Sequence, residues 1–314
     1  MNHCPRRCDP APEDLIPVLP TLLGHRPSDS LVAIYHRAEH PVLSARIDWG
    51  HARLRTGAVT HHLSAVGQRS GARSAVLLVI EPADVPGATA PVSTLEVVRA
   101  VASIWPDEGP ALRWTCVVAS DHWSSPECER DCPESGHSCE LPRAGPSRDE
   151  VLAEVTARDE VAASQLRELL HTRATVPTTP VPVRVAQELD ARLGGQRHVL
   201  VRLLRDLQDA AYRDRFLRRM TADTTDWQDQ HLRWQALLAV TPLEHCAPVA
   251  TIAGLAAWQA GDGLRASIAY RIALDADPDY RLARLLLTGL QAGLPPSMWV
   301  HCLRAGPAPR AGHQ

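Results

Sequence analysis

An uninterrupted apolar run in the first half of the chain limits the folds that are open to it. Residues 74 to 81 read SAVLLVIE, and the run lies between Arg73 and Pro82. A short segment rich in β-branched residues, with no alternation of polar positions, is typical of a strand that is covered on both faces. We therefore expect this segment to form the centre of a sheet.

The segments around this run alternate between strand and helix patterns. Strand patterns occur at residues 30 to 37, 41 to 49 and 112 to 119, and helical spacing occurs at residues 12 to 23, 52 to 70 and 92 to 105. Such alternation predicts an α/β domain with a mixed, partly parallel sheet. We expect this domain to span residues 1 to 171.

The rest of the chain has helical patterns. Proline recurs at positions 177, 180 and 182, which makes residues 172 to 182 a candidate linker because repeated proline favours extended backbone. Helical spacing then continues through residues 183 to 302, and residues 303 to 314 are expected to form a flexible tail. The predicted fold class is an α/β N-terminal domain followed by an all-helical C-terminal region.

One helix pair in the C-terminal region is strongly patterned. Gly254 precedes Gly261 by seven residues, and Ala266, Tyr270 and Pro278 follow at the spacing of the packing residues in a tetratricopeptide-type pair. Small residues at 254 and 266 would allow the two helices to approach closely. The sequence thus predicts a tetratricopeptide-like helix pair.

Cysteines cluster in a loop at about residues 116 to 140. Cys128, Cys132, His137 and Cys139 provide three thiolates and one imidazole, which is a ligand set for tetrahedral zinc. Such a zinc would be structural, because all four ligand positions are filled. The spacings Cys-x3-Cys and His-x-Cys depart from the commonest zinc knuckle, so reduced thiols, a disulfide formed on oxidation and a redox-active role are also open.

Composition excludes several classes of function. The sequence contains no lysine, so pyridoxal-phosphate, Walker-type and kinase-type sites are not expected, since each requires that amine. The net charge of −3 argues against nucleic acid as a partner. No apolar run reaches the length of about 18 residues that a membrane span needs, and the N-terminus has no signal-peptide pattern. We therefore expect a cytoplasmic protein that does not enter a membrane.

Two stretches carry a resemblance to a known family. Asp14-Leu15, Leu23-Gly24 and the segment from Pro27 to Val32 form the first, and the Gly-Asp-Gly turn at 261 to 263 belongs to the second. With these motifs the sequence resembles the actinobacterial domain-of-unknown-function family numbered 4192, over nearly the whole chain. The resemblance implies a shared fold, and it implies no particular activity.

Two functional hypotheses follow from the sequence. The common local motifs of nucleotide, hydrolase and zinc-protease sites are absent, so the first hypothesis is a non-enzymatic protein-interaction or regulatory module that binds a protein partner. An exposed apolar groove beside Trp258 and Trp299 would favour it. The alternative is a small-molecule binder or enzyme whose site lies at the carboxyl ends of the central strands, with Asp29, Ser30 and Glu81 as candidate residues. The sequence assigns no catalytic residue.

Overall fold

A computed structural model describes most of the chain. The described residues are 11–81, 94–119, 122–126, 137–139, 145–172, 197–221 and 225–305. They form two compact units, Met1–Arg148 and Asp149–Gln314. The predicted linker at 172 to 182 lies almost entirely outside the described residues.

The N-terminal unit contains a mixed sheet. Its strands in the described residues are β1 (Ser30–Arg37), β2 (His40–Asp48), β3 (Ser74–Ile80), β4 (Ala111–Ala119), β5 (His122–Ser124) and β6 (His137–Ser138). Their order in the sheet is β2-β1-β3-β4-β5-β6. β1 is antiparallel to β2 and β3, whereas β3 and β4 are parallel. The predicted α/β domain with a partly parallel sheet is confirmed.

Helices cover both faces of this sheet. They are α1 (Pro12–Leu15), α2 (Leu19–Leu23), α3 (Trp49–Leu54), α4 (Thr56–Arg69) and α5 (Thr94–Ser103). Alternate residues of β3 enter opposite cores: Leu77 packs in the core that includes Leu63 of α4, and Leu78 packs in the core that includes Leu19 of α2. β3 is buried at every position, which explains why its sequence is continuously apolar.

The C-terminal half is helical, as predicted. Its helices in the described residues are α6 (Arg148–Thr156), α7 (Glu160–His171), α8 (Arg197–Asp206), α9 (Ala210–Met220), α10 (Trp227–Val240), α11 (Cys246–Gln259), α12 (Gly263–Ala276), α13 (Arg281–Gln291) and α14 (Pro296–Ala305). None of these described helices is long and apolar enough to cross a membrane. α14 extends past residue 303, the expected start of the tail, because Leu303 packs against the helical core.

The N-terminal unit ends earlier than the expected residue 171. Val151 and Val155 of α6 pack against Ile268, and Leu166 of α7 belongs to the large helical core. The apolar faces of α6 and α7 are therefore buried in the helical unit, although the sequence placed both helices before the linker.

Aspartate caps divide the helical segments of this unit. The Asp159 carboxylate accepts a hydrogen bond from the backbone N–H of Ala162 at 2.9 Å, and that of Asp209 accepts one from Tyr212 at 2.7 Å. An aspartate that satisfies the first N–H groups of a helix starts a new helix at that point. Residues 148 to 171 consequently form two helices, and residues 197 to 220 form two more.

The predicted helical hairpin is formed by α11 and α12. Gly261 adopts a φ of +89° in the turn between them, and the Asp262 carboxylate caps α12 by accepting from the backbone N–H of Arg265 at 2.9 Å. A β-carbon added to Gly254 would lie 2.5 Å from the Tyr270 ring, so glycine is what allows this close approach. The likeness of the pair to a tetratricopeptide repeat stays a prediction.

Candidate functional site

The candidate residues at the strand ends come together at one end of the sheet. In the β1–β3 register Ser30 pairs with Ile80, so Asp29 and Glu81 lie at the same end of that strand pair. Asp48 pairs with Ser30 from the other side. The backbone N–H of Glu81 donates to the Val118 carbonyl oxygen at 2.9 Å, so the end of β4 lies beside Glu81. We call this the strand-end surface; it comprises Asp29, Ser30, Arg46, Asp48, Glu81 and Arg148.

Arg46 is the structural centre of the strand-end surface. Its Nε donates to the Ser30 hydroxyl at 2.7 Å, and its guanidinium contacts an Asp48 carboxylate oxygen at 2.8 Å. A further N–H donates to the Ser28 carbonyl oxygen at 3.3 Å. Burial lowers the pKa of Arg46, and the Asp48 carboxylate opposes that shift. The Arg46 side chain thus stabilises the turn before β1.

Ser30 is a positioning residue. It is fully buried, and its hydroxyl donates to the Ser28 carbonyl oxygen while it accepts from Arg46. A fully buried hydroxyl that donates to a backbone carbonyl oxygen, and not to a general base, is poorly placed to act as a nucleophile. The sequence identified Ser30 as a candidate, and its contacts show that it orients Arg46.

Asp29 has an unusual backbone conformation. Its φ is +42°, in the left-handed region that few residues other than glycine adopt, although aspartate tolerates it better than most. The Asp29 carbonyl oxygen accepts the backbone N–H of Trp49 at 2.9 Å, which fixes the start of α3. The side chain is exposed. Strained backbone of this kind is often found at binding sites.

The carboxylates of the strand-end surface differ in their contacts. Asp48 also contacts Arg148 at 3.3 Å, and both side chains of that pair are about half exposed, so the contact adds little stability. Within the described part of the chain, the carboxylates of Asp29 and Glu81 make no hydrogen bond. These two groups are available to accept hydrogen bonds from a ligand.

Residues 12–297 match the family model described as Domain of unknown function (DUF4192). The chain belongs to the DUF4192 family. The match includes every residue of the strand-end surface, and it includes the helical hairpin. No curated protein and no solved structure matches the chain. Membership confirms the resemblance seen in the sequence, and the family description names no activity.

The cysteine loop of this DUF4192 protein begins and ends in a short hairpin. β5 and β6 are antiparallel, with Trp123 opposite His137. Cys139 is partly buried against the sheet core that contains Trp123. Cys128, Cys132 and the His137 side chain lie outside the described residues, and the described residues contain no group of three or more metal-ligating side chains. The zinc site stays a prediction.

A further cysteine of the DUF4192 chain, Cys246, directly follows His245 in the sequence. Cys246 begins α11 and is fully buried, with its sulfur 3.3 Å from an Arg158 nitrogen. Burial raises the pKa of the Cys246 thiol, and the nearby Arg158 only partly opposes this. The thiol is therefore a core group, because a reactive cysteine needs access and a lowered pKa.

Proposed function

We propose that this DUF4192 protein is a non-catalytic regulatory protein that binds a small cationic molecule at the strand-end surface. The observation that carries the proposal is the position of the Asp29 and Glu81 carboxylates, which lie at the ligand-binding end of an α/β sheet and have no hydrogen-bond partner among the described residues. Ligands of α/β folds bind outside the carboxyl ends of the strands. A strained backbone at Asp29 supports the same position.

Charge favours a cationic ligand. The strand-end surface has three carboxylates and two guanidinium groups, so its net charge is three negative less two positive, or −1. Arg46 already contacts Ser30, Asp48 and a backbone carbonyl group, which leaves few of its five N–H donors for an anion. A guanidinium or amine group would donate charge-assisted hydrogen bonds to Asp29 and Glu81. Binding without reaction is favoured because the Ser30 hydroxyl is already engaged.

The combined variant Asp29→Asn, Glu81→Gln tests this proposal. Agmatine, which carries one amine and one guanidinium, is the probe, and citrate is the anionic comparison. We expect agmatine to raise the melting temperature of the wild-type protein, and its affinity to fall at least about tenfold in the variant, since a hydrogen bond to a charged group contributes about 1.5–3 kcal/mol. Asparagine tolerates left-handed backbone, so the fold should persist.

Glu39→Gln is the matched control for this experiment. Glu39 lies in the turn between β1 and β2, at the opposite end of the sheet, and its removal should leave agmatine binding unchanged. Equal agmatine binding by the double variant, or stronger stabilisation of the wild type by citrate, would refute a cation site at the strand-end surface.

A protein partner for the helical unit is the second candidate. Trp258 is only 6% exposed, so it does not line an open groove, but Val161 is 70% exposed and Leu232 is 58% exposed. Large apolar side chains on a surface can contribute to a protein interface. We expect Val161→Ser with Leu232→Ser to weaken any complex recovered by cross-linking in cells. Recovery of the same complex at the same yield would show that these two side chains are not part of the interface.

A further inference from the structure

A polar cluster joins three helices within the helical unit. We call it the Glu154 cluster; it comprises Glu154, His231, Gln235, Asp262 and Arg265. One Glu154 carboxylate oxygen contacts the Arg265 guanidinium at 2.5 Å. The other accepts a hydrogen bond from the Gln235 amide nitrogen at 2.9 Å. The cluster thereby connects α6, α10 and α12.

The charged groups of the cluster are well engaged. Arg265 contacts Asp262 at 2.6 Å as well as Glu154, and its own backbone N–H donates to Asp262. Burial acts to raise the pKa of Glu154, but hydrogen bonds from Arg265 and Gln235 outweigh it and hold that pKa below its ordinary value. Glu154 is therefore ionised at neutral pH.

Two buried polar atoms in the cluster lack a hydrogen bond. His231 is only 6% exposed, and neither its Nδ1 nor the Gln235 Oε1 has a hydrogen-bond partner in the described part of the chain. The two residues are four positions apart on α10, so their side chains lie on the same side of the helix. Leaving such atoms unsatisfied costs about 1–3 kcal/mol each, so a bound group that satisfied them would be stabilised.

Both atoms can act as acceptors. The Gln235 amide nitrogen donates to Glu154, which fixes the orientation of the amide and leaves Oε1 as an acceptor. Burial lowers the pKa of His231, although the Asp262 carboxylate opposes the shift, so the ring is neutral, and in the tautomer that is protonated at Nε2 the acceptor is Nδ1. A ligand at this position must therefore supply hydrogen-bond donors.

We propose that the Glu154 cluster binds a primary ammonium group, which donates to His231 Nδ1, Gln235 Oε1 and the Glu154 carboxylate. An ammonium group has three N–H donors, which matches the three acceptors. Two carboxylates and one guanidinium give the cluster a net charge of −1, which a single cation would neutralise. The Glu154 side chain is 49% exposed and provides the open side.

Nitrogen NMR of the full-length protein labelled at histidine tests this site. Methylammonium chloride is the probe, and tetramethylammonium chloride, a cation without N–H donors, is added at the same ionic strength at about pH 7.5. We expect a saturable shift of the His231 Nδ1 signal with methylammonium only. The Gln235→Met variant should bind at least about tenfold more weakly, whereas Gln228→Met, at an exposed position of the same helix, should bind normally.

The pH dependence gives a second readout. When the pH falls through the lowered pKa of His231, the ring gains a proton and becomes donor-only, so methylammonium binding should be lost. Equal shifts with both cations, no saturable shift, or binding that persists in acid would each overturn the proposal and indicate that the cluster holds only water. The comparison of the two cations uses the wild-type protein, so it holds even if a variant fails to fold.

Discussion

Replacing Trp258 with aspartate is expected to unfold the hairpin of α11 and α12. Trp258 is 6% exposed and belongs to the large helical core, where its ring lies 3.5 Å from the position that a β-carbon on Gly289 would occupy. Loss of a buried tryptophan costs about 3–5 kcal/mol, and an unpaired buried carboxylate adds further cost. The result should be a large loss of helical circular dichroism and rapid hydrogen exchange over residues 246–276.

Trp258→Phe is the control for this change. Phenylalanine keeps an aromatic ring in the core and introduces no charge, so most of the helical signal should be retained. Unchanged helicity and unchanged hydrogen exchange in Trp258→Asp would show that Trp258 does not hold α11 against its neighbours.

The change Gly254→Ala is expected to lower the free energy of unfolding by about 2 kcal/mol. The added β-carbon would lie 2.5 and 2.7 Å from two Tyr270 ring carbons and 3.1 Å from the Ala266 carbonyl oxygen. Tyr270 is fully buried, so its ring has little room to move. Alanine gains about 1 kcal/mol over glycine in a helix interior, and the steric cost must exceed that gain. Urea denaturation followed by circular dichroism measures the change.

Gly263→Ala is the matched control for Gly254→Ala. Gly263 begins α12 in the same hairpin, and a β-carbon there would make an ordinary contact of 3.7 Å with Leu290. Its free energy of unfolding should stay within about 1 kcal/mol of the wild-type value. If Gly254→Ala were as stable as Gly263→Ala, the close approach of α11 to Tyr270 would be wrong.

Much of the fold follows from local patterns in the sequence. The apolar run at 74 to 81 predicted a fully buried central strand, and β3 is buried at all seven positions. β5 and β6 could not be predicted in the same way, because they are three and two residues long, and β5 depends on pairing with β4 while β6 depends on pairing with β5. The boundary between the two units could not be predicted from local patterns either, since only tertiary contacts place Leu166 in the helical core.

The candidate site was only partly predictable. Asp29 and Glu81 were identifiable because each lies at the end of a predicted strand. The antiparallel pairing of β1 with β3 brings these two positions to the same end of the sheet. Arg46 lies within β2 and has no sequence motif, so its contact with Ser30 required the register of β1 and β2. The Glu154 cluster was missed for a similar reason, because Glu154 and Arg265 are 111 residues apart.

Carbon NMR of the Asp and Glu side-chain carboxyl groups during an agmatine titration tests the strand-end surface most directly. We expect the carboxyl carbons of Asp29 and Glu81 to shift along one saturating curve, while that of Glu39 at the far end of the sheet stays unchanged. Shifts that are equally small at all three carboxylates, or that are confined to residues elsewhere, would contradict ligand binding at the strand-end surface.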